Sequence, residues 1–146
     1  GTVTAAMEAA IWGIPAIAYS LDTVENGHEP NYDAAARYAQ QITASAIKYG
    51  IASHLLLNVN IPALPYEQIK GIQITRMGLR VYHDKLDRRE DPRGKPYYWA
   101  IGSVPTGIPE RGTDIGALQN GWASITPLHL DLTAYHAFEQ LESWQL

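Results

Sequence analysis

Gly1-Thr2-Val3-Thr4-Ala5-Ala6-Met7-Glu8, followed closely by Gly13-Ile14-Pro15-Ala16-Ile17-Ala18-Tyr19-Ser20, decides the fold. The first part reads as a helix start. Thr2 or Thr4 offers a hydroxyl to the free N–H groups of the first turn, and Val3, Ala6, Met7 and Ala10 recur on one face. Gly13 stands where such a helix stops, with Pro15 after it. Residues 14–19 are then a short apolar run, the pattern of a strand covered on both faces. A helix feeding a buried strand is half of a βαβ unit, and the strand expected before Gly1 is not in this chain. A Gly-Thr pair opening a helix also has a chemical reading. N–H groups without helical partners carry partial positive charge and suit a phosphate.

The bulk properties narrow the function classes. A chain of 146 residues with 46% hydrophobic and 18% charged residues has enough apolar material for one globular core. A net charge of −4 argues against a general nucleic-acid binder. The absence of cysteine excludes disulfides, thiol nucleophiles and Cys-ligated zinc, and fits a cytoplasmic protein. No apolar run approaches the roughly 18 residues of a membrane span.

Working outward, residues 21–30 form a polar loop with Asn26-Gly27 as its turn. Asn31 then caps a long helix, with Asp33 in its first turn and Gly50 at its end. The apolar stripe of that helix is Tyr32, Ala35, Ala39, Ile42, Ala46 and Tyr49. His54-Leu55-Leu56-Leu57-Asn58-Val59-Asn60 reads as a second buried strand, stopped by Pro62. Helix, strand, helix, strand points to a mostly parallel sheet with helices packed on it.

After residue 65 the pattern changes to half-exposed strands around Ile72, Ile74, Leu79 and Val81. Nine of the twelve residues from 84 to 95 are charged, with nearly cancelling signs. Asp91-Pro92-Arg93-Gly94 is a turn signature, and Tyr97-Tyr98-Trp99-Ala100-Ile101 returns as the partner strand. A long hairpin with a charged tip and an aromatic root follows, either a solvated projection or an arm that embraces another subunit. Thr113 caps a short helix over 114–119 that Asn120-Gly121 closes. Residues 122–126 form a strand ended by Pro127. Thr133 caps a final helix carrying Ala137, Phe138, Leu141 and Trp144 on one face.

No complete active site is visible in the residue chemistry. His28, His54, His83, His129 and His136 make no helical zinc pair. His129 and Asp131 share a strand face and could form a polar pair. Ser103 lacks a nucleophile-elbow glycine. The phosphate-loop and dinucleotide fingerprints are absent, which leaves little for a cofactor-binding α/β domain of another kind. Glu90-Asp91 is the only adjacent acidic pair, and it sits on the expected hairpin tip, a poor place for a metal.

The ordered motifs carry a resemblance. Gly1-Thr2-Val3 with Ala5-Ala6-Met7-Glu8, Gly13-Ile14-Pro15, Leu57-Asn58-Val59-Asn60-Ile61-Pro62 and Thr75-Arg76-Met77-Gly78 come first. Tyr97-Tyr98-Trp99, Gly112-Thr113-Asp114, Gly121, Ser124-Ile125-Thr126-Pro127-Leu128 and Asp131-Leu132-Thr133 follow. Together they resemble the C-terminal part of SurE, the survival-protein-E family of metal-dependent 5′/3′-nucleotidases and acid phosphatases. Thr4 and Ala10 stand where family members often have glycine.

The resemblance implies an α/β fold, the C-terminal part of a Rossmann-like three-layer sheet with a projecting β-hairpin and a C-terminal helix. Residues 1–62 would belong to the nucleotidase core. Residues 63–146 would hold the hairpin arm, the last core strand and the oligomerisation segment. It implies a phosphomonoesterase acting on nucleoside monophosphates with a divalent cation, Mn²⁺ or Mg²⁺. Gly1 and Thr2 would be the phosphate-binding residues. The metal ligands, an Asp-Asp pair, a Ser and an Asn in the family, would lie N-terminal to Gly1, so this chain alone is expected to be inactive. Partners would be the nucleotide and further copies of the chain, as homodimer or homotetramer through the arm and C-terminal segment, with no nucleic-acid groove and no membrane. Some members pair the Asp of Asp-Leu-Thr with a His four residues on; here that place is Tyr135, with His136 one further. The competing reading is a non-catalytic assembly or binding module. Taken alone, the chain is expected to expose 14–19 and 55–59 and to aggregate.

Overall fold

The computed structural model describes residues 1–23, 32–81, 84–102 and 106–144. The expected turn at Asn26-Gly27, the cap at Asn31, and His28, His83 and Ser103 lie outside them. The chain begins with α1 (Thr2–Ile11), whose N-cap is Gly1 with no side chain bonded to the first turn. Neither Thr2 nor Thr4 caps, because both are already inside the helix, whereas a cap must come from the residue before it. Its end is as expected. Gly13, at φ 72°, turns left-handed, its N–H reaches the Ala10 carbonyl at 3.0 Å, and the Ile14 N–H reaches Ala9 at 2.9 Å. Because Ile14 still closes the helix, strand β1 starts later than predicted, at Ala16–Asp22.

Helix α2 (Asp33–Tyr49) has Tyr32 at its N-cap, Asp33 in its first turn and Gly50 as terminator. Its buried stripe is Ala34, Tyr38 and Ile42, with Ala35, Ala39 and Ala46 half-buried beside it. Four of the six expected stripe residues, Ala35, Ala39, Ile42 and Ala46, do face inward, and the buried centre is shifted toward Ala34 and Tyr38. The large Tyr38 takes the inward position, and Tyr32 and Tyr49 are exposed. Strand β2 (Leu55–Pro62) follows. His54 is not its first residue but the left-handed turn into it, at φ 61°.

The remaining elements are β3 (Ile72–Ile74), β4 (Arg80–Val81), β5 (Asp84–Glu90), β6 (Pro96–Gly102), β7 (Thr106–Gly107), α3 (Asp114–Gln119), β8 (Ala123–His129) and α4 (Phe138–Glu142). The main sheet runs β1-β2-β8-β3, with β1 parallel to β2, β8 antiparallel to β2 and β3 parallel to β8. β8 passes through Pro127 instead of ending there. β3 reaches only to Ile125, so β8 has no second neighbour at Pro127 and the missing N–H breaks no ladder bond on that side.

Alternation along β2 builds three layers. Leu57, Val59 and Ile61 face α2 and pack with Tyr38 and Ile42, while Leu56 and Ala18 face Ala6 and Ala10 of α1. Leu56 and Val59 are fully buried because β2 lies between β1 and β8. The expectation that 55–59 is uncovered therefore fails; the edge strands of the sheet are β1 and β3. The β5–β6 hairpin pairs from Asp84↔Gly102 to Glu90↔Pro96. Its turn closes with Gly94 N–H on the Asp91 carbonyl at 2.9 Å, and Asp91 Oδ1 accepts from the Arg93 and Lys95 amides. Leu86, Tyr98 and Trp99 on it are exposed.

Leu56→Ala should destabilise the fold by about 2–5 kcal/mol, and Leu56→Met by less than about 1.5 kcal/mol. Chemical denaturation of the two variants against the parent checks this.

Candidate phosphate site

Helix α1 folds back along β1, and their contact fixes where its amino end lies. Ala10 and Ala16 belong to one cluster. From Ala10 back to Thr2 the helix rises about 12 Å, and from Ala16 to Ser20 the strand advances about 13 Å. The start of α1 therefore comes level with Ser20, whose register partner is Asn60, near the carboxyl ends of the parallel pair β1 and β2. Ligands of open α/β sheets bind at such carboxyl ends.

The first intrahelical bond is Ala5 N–H to the Gly1 carbonyl, at 3.2 Å. The amides of Thr2, Val3 and Thr4 come before it and have no helical acceptor. Among the described residues no side chain bonds to these donors. Gly1 and Thr2 are exposed.

The sequence reading missed the floor beside it. Asn58 pairs with Thr126, and Asn60 with Ser124, across β2 and β8. These residues share the sheet face of Leu56, on which α1 packs. Thr75 Oγ1 lies 2.7 Å from Thr126 Oγ1 in the buried region. Asn58 Oδ1 and Ser124 Oγ are buried with no hydrogen-bond partner among the described residues. A polar row inside a sheet is costly unless something satisfies it. The signal was available: polar residues at 58 and 60 alternate with Leu57, Val59 and Ile61 in a strand read simply as buried.

The other expected residues do not converge here. Among the described residues no three His, Cys, Asp or Glu side chains come together to hold a metal, and Glu90 and Asp91 sit at the hairpin end. His129 and Asp131, which could have formed a hydrogen-bonded pair, share no hydrogen bond among the described residues. Asp131 instead accepts the Thr133 amide at 2.9 Å and the Tyr135 hydroxyl. Thr133 is thus held by Asp131 and caps no helix; a 3₁₀ turn (Tyr135–Ala137) and the short α4 replace the single helix predicted. Phe138, Leu141 and Trp144 are exposed.

Hydrogen bonds from the Thr133 side chain, then from Tyr135, and then from the Thr133 amide lower the Asp131 carboxyl from 3.8 to about 2. Its folded value is depressed, so the turn's stabilisation is fully present above pH 3.8 and is lost as pH falls through about 2. Carboxyl-detected NMR should give that midpoint, and Tyr135→Phe should move it back toward 3.8.

The model of the family described as Survival protein SurE matches residues 1–84. Among curated proteins, a 5′-nucleotidase SurE of Symbiobacterium thermophilum is 44% identical over all of this chain and 56% of its own length. One from Geobacter sulfurreducens is 47% identical over all of this chain and 55% of its own length. The crystal structure of the SurE protein from Aquifex aeolicus superposes with a TM-score of 0.75 at 42% identity, over 97% of this chain and 56% of that one. The chain spans about half the length of the relatives it matches. Over that span, with the motifs in order and the same fold, the chain belongs to the SurE family.

Proposed function

We propose that the protein to which this chain belongs is a divalent-metal-dependent phosphomonoesterase, a 5′/3′-nucleotidase and acid phosphatase that releases phosphate from nucleoside monophosphates. The observation that carries the reading is the position of the amino end of α1, with Gly1 and Thr2 at its start, at the carboxyl ends of β1 and β2. Family membership and the relatives' name, 5′-nucleotidase SurE, support it. In this reading the amides at Thr2 and its neighbours, together with Gly1, hold the phosphoryl oxygens. Fixed N–H donors aimed at an oxyanion stabilise charge that develops there, at no reorganisation cost.

The described residues do not fit a divalent cation by themselves. The Mn²⁺ or Mg²⁺ ligands would lie N-terminal to Gly1, and this chain's own carboxylates would not hold the metal. In the same reading 1–62 belong to the nucleotidase core and 63–146 to the arm, last core strand and assembly segment, in a cytoplasmic homodimer or homotetramer. Exposed Leu86, Tyr98 and Trp99 on the hairpin and Phe138, Leu141 and Trp144 near α4 support an assembly role for those elements. The same exposed surfaces favour the second reading, a non-catalytic assembly module. The two readings part on activity in the full-length protein.

Full-length protein should release phosphate from AMP with Mn²⁺ and lose that activity in EDTA; turnover without metal contradicts the proposal. Thr2→Pro tests the cradle directly. Proline is tolerated at the first helical position and deletes one N–H. It should lower kcat by about 10²-fold or more with the thermal midpoint little changed, while Thr2→Val, which keeps the amide, stays near the parent rate.

A further inference from the structure

A cavity of about 330 Å³ beside α3 is lined by Gln73 of β3, Trp122, Lys70 and Arg111. Gln73 is in register with Ser124, so the cavity opens on the same sheet face as α1. Its floor is rigid. Gly116 and Ala117 are buried, and a Cβ on Gly116 would come 2.1 Å from the Glu110 carbonyl. Trp122 is held as a fixed wall: a Cβ on Gly71 would stand 3.2 Å from its Cζ3. Asn120, also on the rim, is tied to the Gly116 carbonyl at 2.7 Å.

The charge here is unusual for a chain of net charge −4. Lys70 and Arg111 both border the cavity, and among the described residues neither has a carboxylate within 4.0 Å. The nearest acid in sequence, Glu110, is engaged by Arg76 at 2.6 Å. Two unpaired cations over a rigid, polar hollow attract an oxyanion. Guanidinium binds phosphate with two parallel N–H donors, and ammonium adds a point charge. The indole beside them offers a surface for a planar ring.

We propose that this cavity is a binding site for a phosphate-bearing small molecule, separate from the α1 cradle. Arg111 and Lys70 hold the phosphate, and Trp122 contacts whatever it carries. Free phosphate and a nucleotide share the recognised group. The site does not depend on the nucleotidase reading.

The test is calorimetric titration of inorganic phosphate, and separately of AMP, into metal-free full-length protein. Parent, Lys70→Ala/Arg111→Ala and Thr2→Pro would be compared. Both cationic residues are exposed, so the double variant should keep the parent's thermal midpoint. The double variant should lose one binding event, weakened by about tenfold or more, as expected for at least 1.4 kcal/mol of charge-assisted contact, while Thr2→Pro keeps that event. Tighter binding of AMP than of phosphate identifies a nucleotide, and equal binding identifies free phosphate. Identical isotherms for the double variant and the parent, with either ligand, overturn the proposal. Because that comparison involves no turnover, its failure is distinct from a failure of the nucleotidase reading.

Discussion

The structure depends on one strand being satisfied on every side. β2 pairs with β1 along one edge and β8 along the other, so its backbone groups are taken by neighbours. Its side chains must then divide between two faces with period two. Leu57, Val59 and Ile61 go to α2. Leu56, Asn58 and Asn60 go to the other face, where α1 packs only over the apolar end around Leu56. A one-residue slip would exchange the two sets, burying Asn58 and Asn60 under α2 and leaving Val59 at the polar end. Fold and candidate site are therefore fixed by the same register.

That arrangement explains why the α1 terminus is useful where it is. The helix is seated by small residues, Ala6 and Ala10, against Ala18 and Leu56. Small contacts let it lie close to the sheet, and its first turn, where Val3 still packs on the same cluster, comes level with Ser20 and Asn60. Ser20, Asn60 and the free amides of the first turn bring polar groups together at one end of the sheet, and the apolar packing lies behind them.

Elements with local signals were legible in the sequence. α3 runs over the predicted residues, with Thr113 Oγ1 accepting from Gly116 N–H at 3.0 Å, because cap, helix and stop all lie within ten residues. The stop of α1 at Gly13 and the hairpin turn at Asp91-Pro92-Arg93-Gly94 were legible for the same reason. What failed depended on distant partners. Thr2 and Thr4 looked like caps because the helix start could not be placed from one side. Pro127 looked like a strand end because the short reach of β3 is a tertiary fact. Asp131 could have paired with His129, but Tyr135 folds back onto it. The polar row of the site was half legible, since Asn58 and Asn60 stand out in β2 while their partners Thr126 and Ser124 are more than sixty residues away.

The central claim is that the first-turn amides of α1 receive an oxyanion. It is tested most directly by amide NMR of full-length protein, with the Thr2, Val3 and Thr4 N–H resonances followed as inorganic phosphate is added. Downfield movement of these three, saturating together, is the predicted result. Phosphate that binds while all three stay still would contradict it.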